Sequence, residues 1–258
     1  MESVEEETSL DDKYRAPALE KGLDIIELLS EYAHGLSQVE IAKALGRSPN
    51  EIYRMLTVLV RRGYIVKSQG ERYELSMKLF VVAQRHPPLR RLIDQALPLM
   101  REATLQVQQS AHMGVYQRGE FIISAVVESP MNWGLAMRVG AVVGLYNTAT
   151  GRILAAFSSQ QRLEEMLEHH KPVPGEPLME RKAFEQILAR IREQGYEEMP
   201  SGTTLGVTNL AFPIFSHGGE AIAALTCPYL SRIDELPCPS LAEVKGIFAE
   251  VARKLSFN

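Results

Sequence analysis

Two helix-start signals, eleven residues apart, constrain the fold of this chain more than any other feature. Ser37 is followed three residues later by Glu40, and Ser48 is followed in the same way by Glu51. In each pair the hydroxyl can cap an amide of the first turn while the carboxylate reaches back to the serine amide, which is a capping box. Gly46 between them can supply a tight turn. Two capped helices joined by a short glycine turn are typical of a helix-turn-helix.

The second of these helices has one apolar face and one polar face. Pro49 falls at its first position, where a missing N–H costs nothing. Apolar residues at helical spacing predict the buried face: Ile52, Met55, Leu56, Leu59 and Val60. The outward face then carries Asn50, Tyr53, Arg54 and Thr57. Glu51 either contacts something outside the protein or only starts the helix, and its place in the capping box favours the second role.

The outward face has two interpretations, a solvated helix surface or a surface that reads DNA. Arg54 suits guanine or a phosphate, and Asn50 suits adenine. The second helix of a helix-turn-helix lies in the major groove, so we expect contacts from this helix. Ser37 and Gln38, which open the first helix, complete the predicted base-side set.

Segments on both sides of the motif predict a winged helix. An earlier helix begins near Ala16 and ends near Gly35, and its predicted inner stripe is Leu19, Leu23, Ile26 and Leu29. After Gly63, the segments YIVKS and RYELS alternate around residues 69–71, as in a β-hairpin. Arg15, Lys67 and Arg72 flank the same surface, where they would anchor phosphates without specifying sequence.

The charge distribution separates this region from the rest of the chain. The net charge is −4, but residues 1–12 carry six acids and no base, residues 13–90 carry a net +5, and residues 91–258 carry a net −3. A basic segment in an acidic protein indicates that one domain meets a polyanion. The acidic start does not resemble a secretory signal, and we expect it to be disordered.

The remaining chain predicts an α+β domain. Residues 77–85 and 89–109 look helical, with His86-Pro87-Pro88 as a break between them. AHMGVYQR and FIISAVVE form one predicted hairpin, NLAFPIFS and AIAALTCPYL form another, and GLAMRV adds a strand. Four helices are expected: TATGRILAAFSS entered through Asn147 or Thr148, QRLEEMLEHH, ERKAFEQILARIREQG and about 240–255. Antiparallel strands interrupted by helices indicate one sheet in an α+β fold.

Neither a metal site nor a catalytic site is predicted, and we expect no cofactor. The adjacent His169 and His170 point in different directions on a helix and match no metal motif. His217 and Cys227 could form a base and nucleophile, but Cys227 sits in an apolar strand, where an inert thiol is commoner. Cys227 and Cys238 are the only cysteines, which favours a reducing cytoplasm. No apolar run approaches the length of a membrane span.

A ligand pocket is the hypothesis for the glycine-rich stretch SGTTLGVTNLAFPIF. Its loop exposes backbone amides that can hold a carboxylate. Thr150-Gly151 would place a second group of amides near a helix start, where the dipole also favours an anion. Thr226 would add a hydroxyl from a neighbouring strand. The alternative is an ordinary loop and strand.

From about Ala16 to Leu255 the chain resembles the IclR family of bacterial transcriptional regulators. Six stretches carry the resemblance in order and spacing: ALEKGLDIIELL, LSQVEIAKALG, IYRMLTVLVRRGYI, YELSMKLF, TATGRILAAF and LGVTNLAFPIF. The resemblance implies a winged helix-turn-helix, a linker helix and a GAF-like antiparallel-sheet effector domain. It also implies dimers or tetramers on palindromic double-stranded operator DNA, and control by small metabolites, often organic or aromatic acids.

By position, the resemblance assigns DNA reading to Ser48, Pro49, Asn50, Glu51, Tyr53 and Arg54. It assigns the effector pocket to Ala149, Thr150, Val207, Asn209 and Thr226. Trp133 has two interpretations, as part of an aromatic-accepting pocket or as a cap on the sheet. The family often has Ser-Thr in place of Asn50-Glu51, cysteine in place of Asn209 and a small polar residue in place of Pro228, so we expect the operator and ligand to differ.

These patterns predict four segments: an acidic disordered tail over 1–14, a winged helix-turn-helix over 15–76, a linker helix over 77–90 and an effector domain over 91–258. The expected function is a DNA-binding regulator controlled by a small organic or aromatic acid, acting in the cytoplasm away from any membrane. Leu79, Phe80 and Val82 are candidate contacts of a homodimer. The alternative is an enzyme on a GAF-like domain, with the winged helix as a protein-interaction module.

Overall fold

The computed structural model describes residues 16–68, 70–84, 87–232 and 238–256. The chain divides into two compact units, Met1–Pro87 and Pro88–Asn258. The predicted disordered tail and Arg15 lie outside the described residues. Among the described helices, none is long and apolar enough to cross a membrane.

The first unit is a winged helix of three helices and three strands, followed by a fourth helix. Its elements are α1 (Pro17–Ser30), β1 (Leu36–Ser37), α2 (Gln38–Ala44), α3 (Pro49–Arg61), β2 (Ile65–Lys67), β3 (Arg72–Leu75) and α4 (Lys78–Gln84). The three strands form an antiparallel sheet in the order β1-β3-β2. Both predicted capping boxes are confirmed, at Ser37–Glu40 and at Ser48–Glu51.

The core of this unit confirms the predicted inner face of α3 and corrects that of α1. Ile52 and Leu56 are fully buried. On α1 the buried residues are Gly22, Ile25 and Leu29, whereas Leu19 and Leu23 are 63% and 48% exposed. The predicted stripe was therefore wrong at two of its four positions. Apolar residues occur on several sides of α1, so two overlapping apolar stripes fit the helical period. The packing of α1 against the rest of the unit determines which stripe is buried.

The second unit is a six-stranded antiparallel sheet with helices on both faces. It contains α5 (Pro87–Val107), β4 (Ala111–Gln117), β5 (Glu120–Val127), β6 (Val142–Val143), α6 (Ala149–Ala156), α7 (Gln160–His169), α8 (Arg181–Gln194), β7 (Glu197–Pro200), β8 (Val207–Phe215), β9 (Ala221–Leu230) and α9 (Leu241–Leu255). The strand order is β6-β5-β4-β9-β8-β7. One apolar cluster joins the sheet to α5 and α9, and another joins it to α6, α7 and α8.

The two predicted hairpins, β4–β5 and β8–β9, are confirmed, but the strand predicted over residues 134–139 is wrong. The strand in this region is β6, which pairs with Phe121 and Ile122. Residues 135–138 follow an irregular path, and Leu135 and Met137 line a cavity described below. Leu135 and Met137 are two residues apart because both cover the cavity. Their spacing is that of a β-strand, although the segment lacks the hydrogen bonds of a strand.

Candidate functional site

The outward face of α3 is the first candidate site. Asn50, Tyr53, Arg54 and Thr57 are all exposed. The Thr57 hydroxyl donates to the Tyr53 carbonyl, 2.8 Å away. Arg54 makes no hydrogen bond or ion pair within the described part of the chain. Its guanidinium is therefore available to a partner outside the protein.

Glu51, by contrast, uses both carboxylate oxygens within the fold. Oε2 accepts from the Ser48 amide at 3.2 Å and from the Ser48 hydroxyl at 2.8 Å. Oε1 accepts from Nζ of Lys21 at 2.7 Å. The hydrogen bond from Lys21, and then those from Ser48, lower the pKa of the Glu51 carboxyl to about 2. Glu51 thus starts α3 and ties it to α1.

The other predicted DNA-side residues are also engaged internally. Ser37 caps α2, and Nε2 of Gln38 donates to the Pro49 carbonyl at 2.9 Å. Arg72 donates to the carbonyls of His34 and Gly35 at 3.1 and 2.9 Å, and it lies 3.2 Å from the Glu40 carboxylate. Lys67 pairs with Glu71 at 2.8 Å at the tip of the wing. Arg72 therefore holds the wing to the α1–α2 segment, and Glu71 competes with a phosphate for Lys67.

A cavity of about 220 Å³ in the second unit is the other candidate site. It lies between α6 and the face of the sheet that carries His112, Thr226 and Asn209, on strands β4, β9 and β8. Strand register brings these side chains together, because His112 pairs with Thr226 and Asn209 pairs with Pro228. Nine polar residues line it: His112, Asn147, Thr148, Thr150, Ser201, Thr203, Thr204, Asn209 and Thr226.

Gly114 allows α6 to approach the sheet, and Gly151 allows it to approach the segment that follows β6. A Cβ on Gly114 would lie 2.4 Å from Cγ2 of Thr150, and a Cβ on Gly151 would lie 2.5 Å from the Gly144 carbonyl oxygen. Within the contact, Thr150 Oγ1 lies 3.0 Å from Thr226 Oγ1 and 3.4 Å from His112 Nε2. Burial lowers the pKa of His112 to about 4, so its ring is neutral at pH 7.

The amino-terminal turn of α6 lines the cavity. The Thr148 side chain caps α6 by accepting from the Gly151 amide at 3.1 Å. The amides of Ala149 and Thr150 have no acceptor among the described residues, as is normal for the first turn of a helix. Both residues line the cavity. The helix dipole therefore favours an anion at this end.

The segment from His170 to Glu176, here called the strap, closes the cavity with Val173 and Pro174. The Glu176 carboxylate accepts from the amides of Tyr146 and Val173, at 2.8 and 3.1 Å, and lies 3.0 Å from Nε2 of His170. Its side chain is only 1% exposed. A carboxylate thus fixes the strap to the segment that leads into α6.

The structure brings together four of the six predicted effector residues. Ala149, Thr150, Asn209 and Thr226 all line the cavity. Val207 is buried in β8 without lining it, and Trp133 lies outside the lining with 81% of its surface exposed.

Sequence reasoning did not assign His112, Asn147 or Ser201 to this site. His112 alternates with apolar neighbours along a strand, as a core residue does. Asn147 was considered only as a helix cap, and Ser201 only as part of a loop. No group of three or more metal-ligating side chains occurs in the described ranges.

Comparison with known proteins assigns the family. Residues 89–257 match the family described as "Bacterial transcriptional regulator IclR C-terminal", and residues 18–69 match the "IclR helix-turn-helix domain". The chain belongs to the IclR family. It is a DNA-binding transcriptional regulator and not an enzyme, because the curated IclR relatives that it matches are named as regulators.

Two of those relatives come from Escherichia coli K12. The HTH-type transcriptional regulator XynR is 28% identical over 235 residues, which cover 88% of this chain and 91% of XynR. KdgR is 27% identical over 240 residues, which cover 92% of this chain and 90% of KdgR. Among solved structures, an IclR homologue from Microbacterium hydrocarbonoxydans complexed with 4-hydroxybenzoate has a TM-score of 0.77 and 21% identity, covering 93% of this chain and 97% of that one.

Proposed function

We propose that this IclR-family regulator binds a palindromic operator as a homodimer or tetramer and that a small organic or aromatic acid in the cavity controls its operator affinity. The observation that supports ligand binding is the cavity at the start of α6, where the amides of Ala149 and Thr150 have no acceptor among the described residues. The acid would place its carboxylate at Ala149 and Thr150 and its other polar group near Asn209.

The DNA half rests on the free outward face of α3. One winged helix covers a single half-site, and two-fold operators require two copies with half-sites about one helical turn apart or multiples of that. Phe80 and Val82 on α4 are 56% and 47% exposed. They supply apolar surface for such a dimer.

Arg54→Ala tests the DNA half. Loss of a base-edge contact should weaken operator binding by about 1–3 kcal/mol, measured by fluorescence anisotropy with the DNA beside the protein's own gene. Arg101→Ala is the charge-matched control, since Arg101 is an exposed arginine of the second unit. Operator affinity equal to that of the wild type in the Arg54 variant would remove α3 from the interface.

Asn209→Leu tests the ligand half. It should reduce effector affinity by about 1–3 kcal/mol, because a polar group of the bound ligand loses its partner, while operator binding without ligand stays near normal. The ligand can change DNA affinity only if it binds the two DNA-linked states unequally, so both affinities are measured in the same titration. A full effector response in Asn209→Leu would place the effector elsewhere.

A further inference from the structure

The described lining of the cavity offers no charged side chain that could pair with a ligand. Lysine, arginine, aspartate and glutamate are all absent from the described residues that line it. The nearest arginine on α6, Arg152, donates to the Tyr146 carbonyl at 2.8 Å and lies 3.3 Å from the buried Glu197 carboxylate. Glu176 is turned to the amides of Tyr146 and Val173. The positive potential in the cavity therefore comes from the start of α6.

A helix start supplies the equivalent of about half a positive charge. That suits one carboxylate, which can accept from the amides of Ala149 and Thr150. The second charge of a dicarboxylate or a phosphate ester would be transferred from water into a site with no cation. Such a transfer is strongly unfavourable unless the charge is paired.

Asn209 lies where the far end of a bound acid would be. It is two residues along β8 from Ala211, which pairs with Thr226, and Thr226 contacts Thr150 at the start of α6. Two strand residues span about 7 Å. The Asn209 amide makes no hydrogen bond to the described residues and lines the cavity. It can therefore exchange hydrogen bonds with an uncharged polar group, but it cannot neutralise a carboxylate.

Another part of the wall is apolar. It is formed by Leu135, Met137, Val142, Val143, Val173 and Pro174. A ligand with hydroxyl groups on every side would leave some of them unpaired against this wall, which costs free energy. A dry protein cavity of about 150 Å³ can hold benzene. The 220 Å³ of this cavity therefore suffices for an acid with a body about as large as benzene and two substituents.

We propose that the effector is a singly charged carboxylic acid with one apolar flank and one uncharged polar substituent, and that Asn209 is the residue that makes the cavity select against a second charge. This inference rests on the proposed function, because it concerns the ligand of the same cavity.

Calorimetry on the full chain with matched pairs of acids tests the charge selectivity. The pairs are 4-hydroxybenzoate with terephthalate, 5-hydroxypentanoate with glutarate, and gluconate with glucarate. We expect 4-hydroxybenzoate or 5-hydroxypentanoate to bind, each at least about tenfold more tightly than its diacid. A diacid as the tighter member of a pair, or gluconate as the tightest monoacid, would overturn the inference while leaving an effector cavity in place. If none of the six compounds binds, the proposed effector role of the cavity fails as well.

Variants at residue 209 test its role. Asn209→Arg should raise the ratio of diacid to monoacid affinity at least about tenfold, and Asn209→Asp should weaken monoacid binding at least about tenfold by repulsion. Asn209→Gln is the neutral control and should keep the preference for monoacids. If Asn209→Arg does not fold, Thr203→Arg places a cation on an exposed loop residue of the same cavity. An unchanged ratio in a folded Asn209→Arg protein would show that residue 209 does not set the selectivity.

Discussion

Gly144→Ala is the most informative test of how the cavity is built. Gly144 lies between β6 and α6, and it lines the cavity. A Cβ there would lie 2.1 Å from Oδ1 of Asn147, 2.6 Å from Cδ of Glu176 and 2.8 Å from Oε1 of Glu176. Real Cβ contacts are essentially never that short. The backbone at Gly144 does not have a positive φ, so the cost comes from these contacts alone.

The size of the effect follows from what Glu176 must give up. Asn147 can rotate away, but a shift of Glu176 weakens its hydrogen bonds from the Tyr146 and Val173 amides. A hydrogen bond to a charged group contributes about 1.5–3 kcal/mol. Alanine restricts the unfolded chain and returns about 0.4–1 kcal/mol. We therefore expect a net loss of about 2–4 kcal/mol in the free energy of unfolding, together with weaker effector binding.

Thermal and urea unfolding measure this loss, and the matched control is Gly246→Ala. Gly246 lies in α9 of the same unit, and a Cβ there would meet nothing within 4 Å. Alanine in a helix should stabilise that variant by roughly 1 kcal/mol relative to glycine. If the free energy of unfolding of Gly144→Ala decreases by less than about 1 kcal/mol, the strap tolerates a shifted Glu176 carboxylate. The hydrogen bonds of Glu176 would then not be what holds the strap in place.

Two further predictions concern pH and the wing. Burial lowers the pKa of His112 from 6.5 to about 4, so the unfolded chain binds a proton at this histidine before the folded chain does as pH falls. The free energy of unfolding should therefore decrease by about 2 kcal/mol between pH 7 and pH 5. His112→Asn should flatten that part of the stability–pH curve. Glu71→Ala should release Lys67 from its 2.8 Å ion pair, so operator and non-operator DNA should both bind more tightly and the salt dependence should steepen. Unchanged salt slopes by anisotropy would show that Lys67 does not contact phosphate.

The first unit was predictable because its signals are local. A capping box involves residues three apart, and the Ser37 and Ser48 boxes fix where two helices begin. The face of α1 was not predictable, since Leu19 and Ile25 both belong to acceptable stripes and only the position of the other helices decides between them.

The cavity was only partly predictable because six separate segments form it. Thr150 and Thr226 were expected from the helix start and the strand beside the glycine-rich loop, and they lie 3.0 Å apart. His112 and Leu135 come from regions whose patterns are those of a core strand and a surface strand. Their contribution depends on register and on the path after β5, and neither is encoded in a short motif.

The ion pairs of the winged helix bear on how the regulator distinguishes its operator. Arg72 is held by Glu40 and two carbonyls, and Lys67 is held by Glu71. Phosphate contacts provide affinity without sequence information, so internal pairing of these cations reduces non-specific binding. Arg54, on the proposed recognition helix, has no partner among the described residues. Binding should therefore depend on base contacts from α3 to a greater degree than the +5 charge of residues 13–90 suggests.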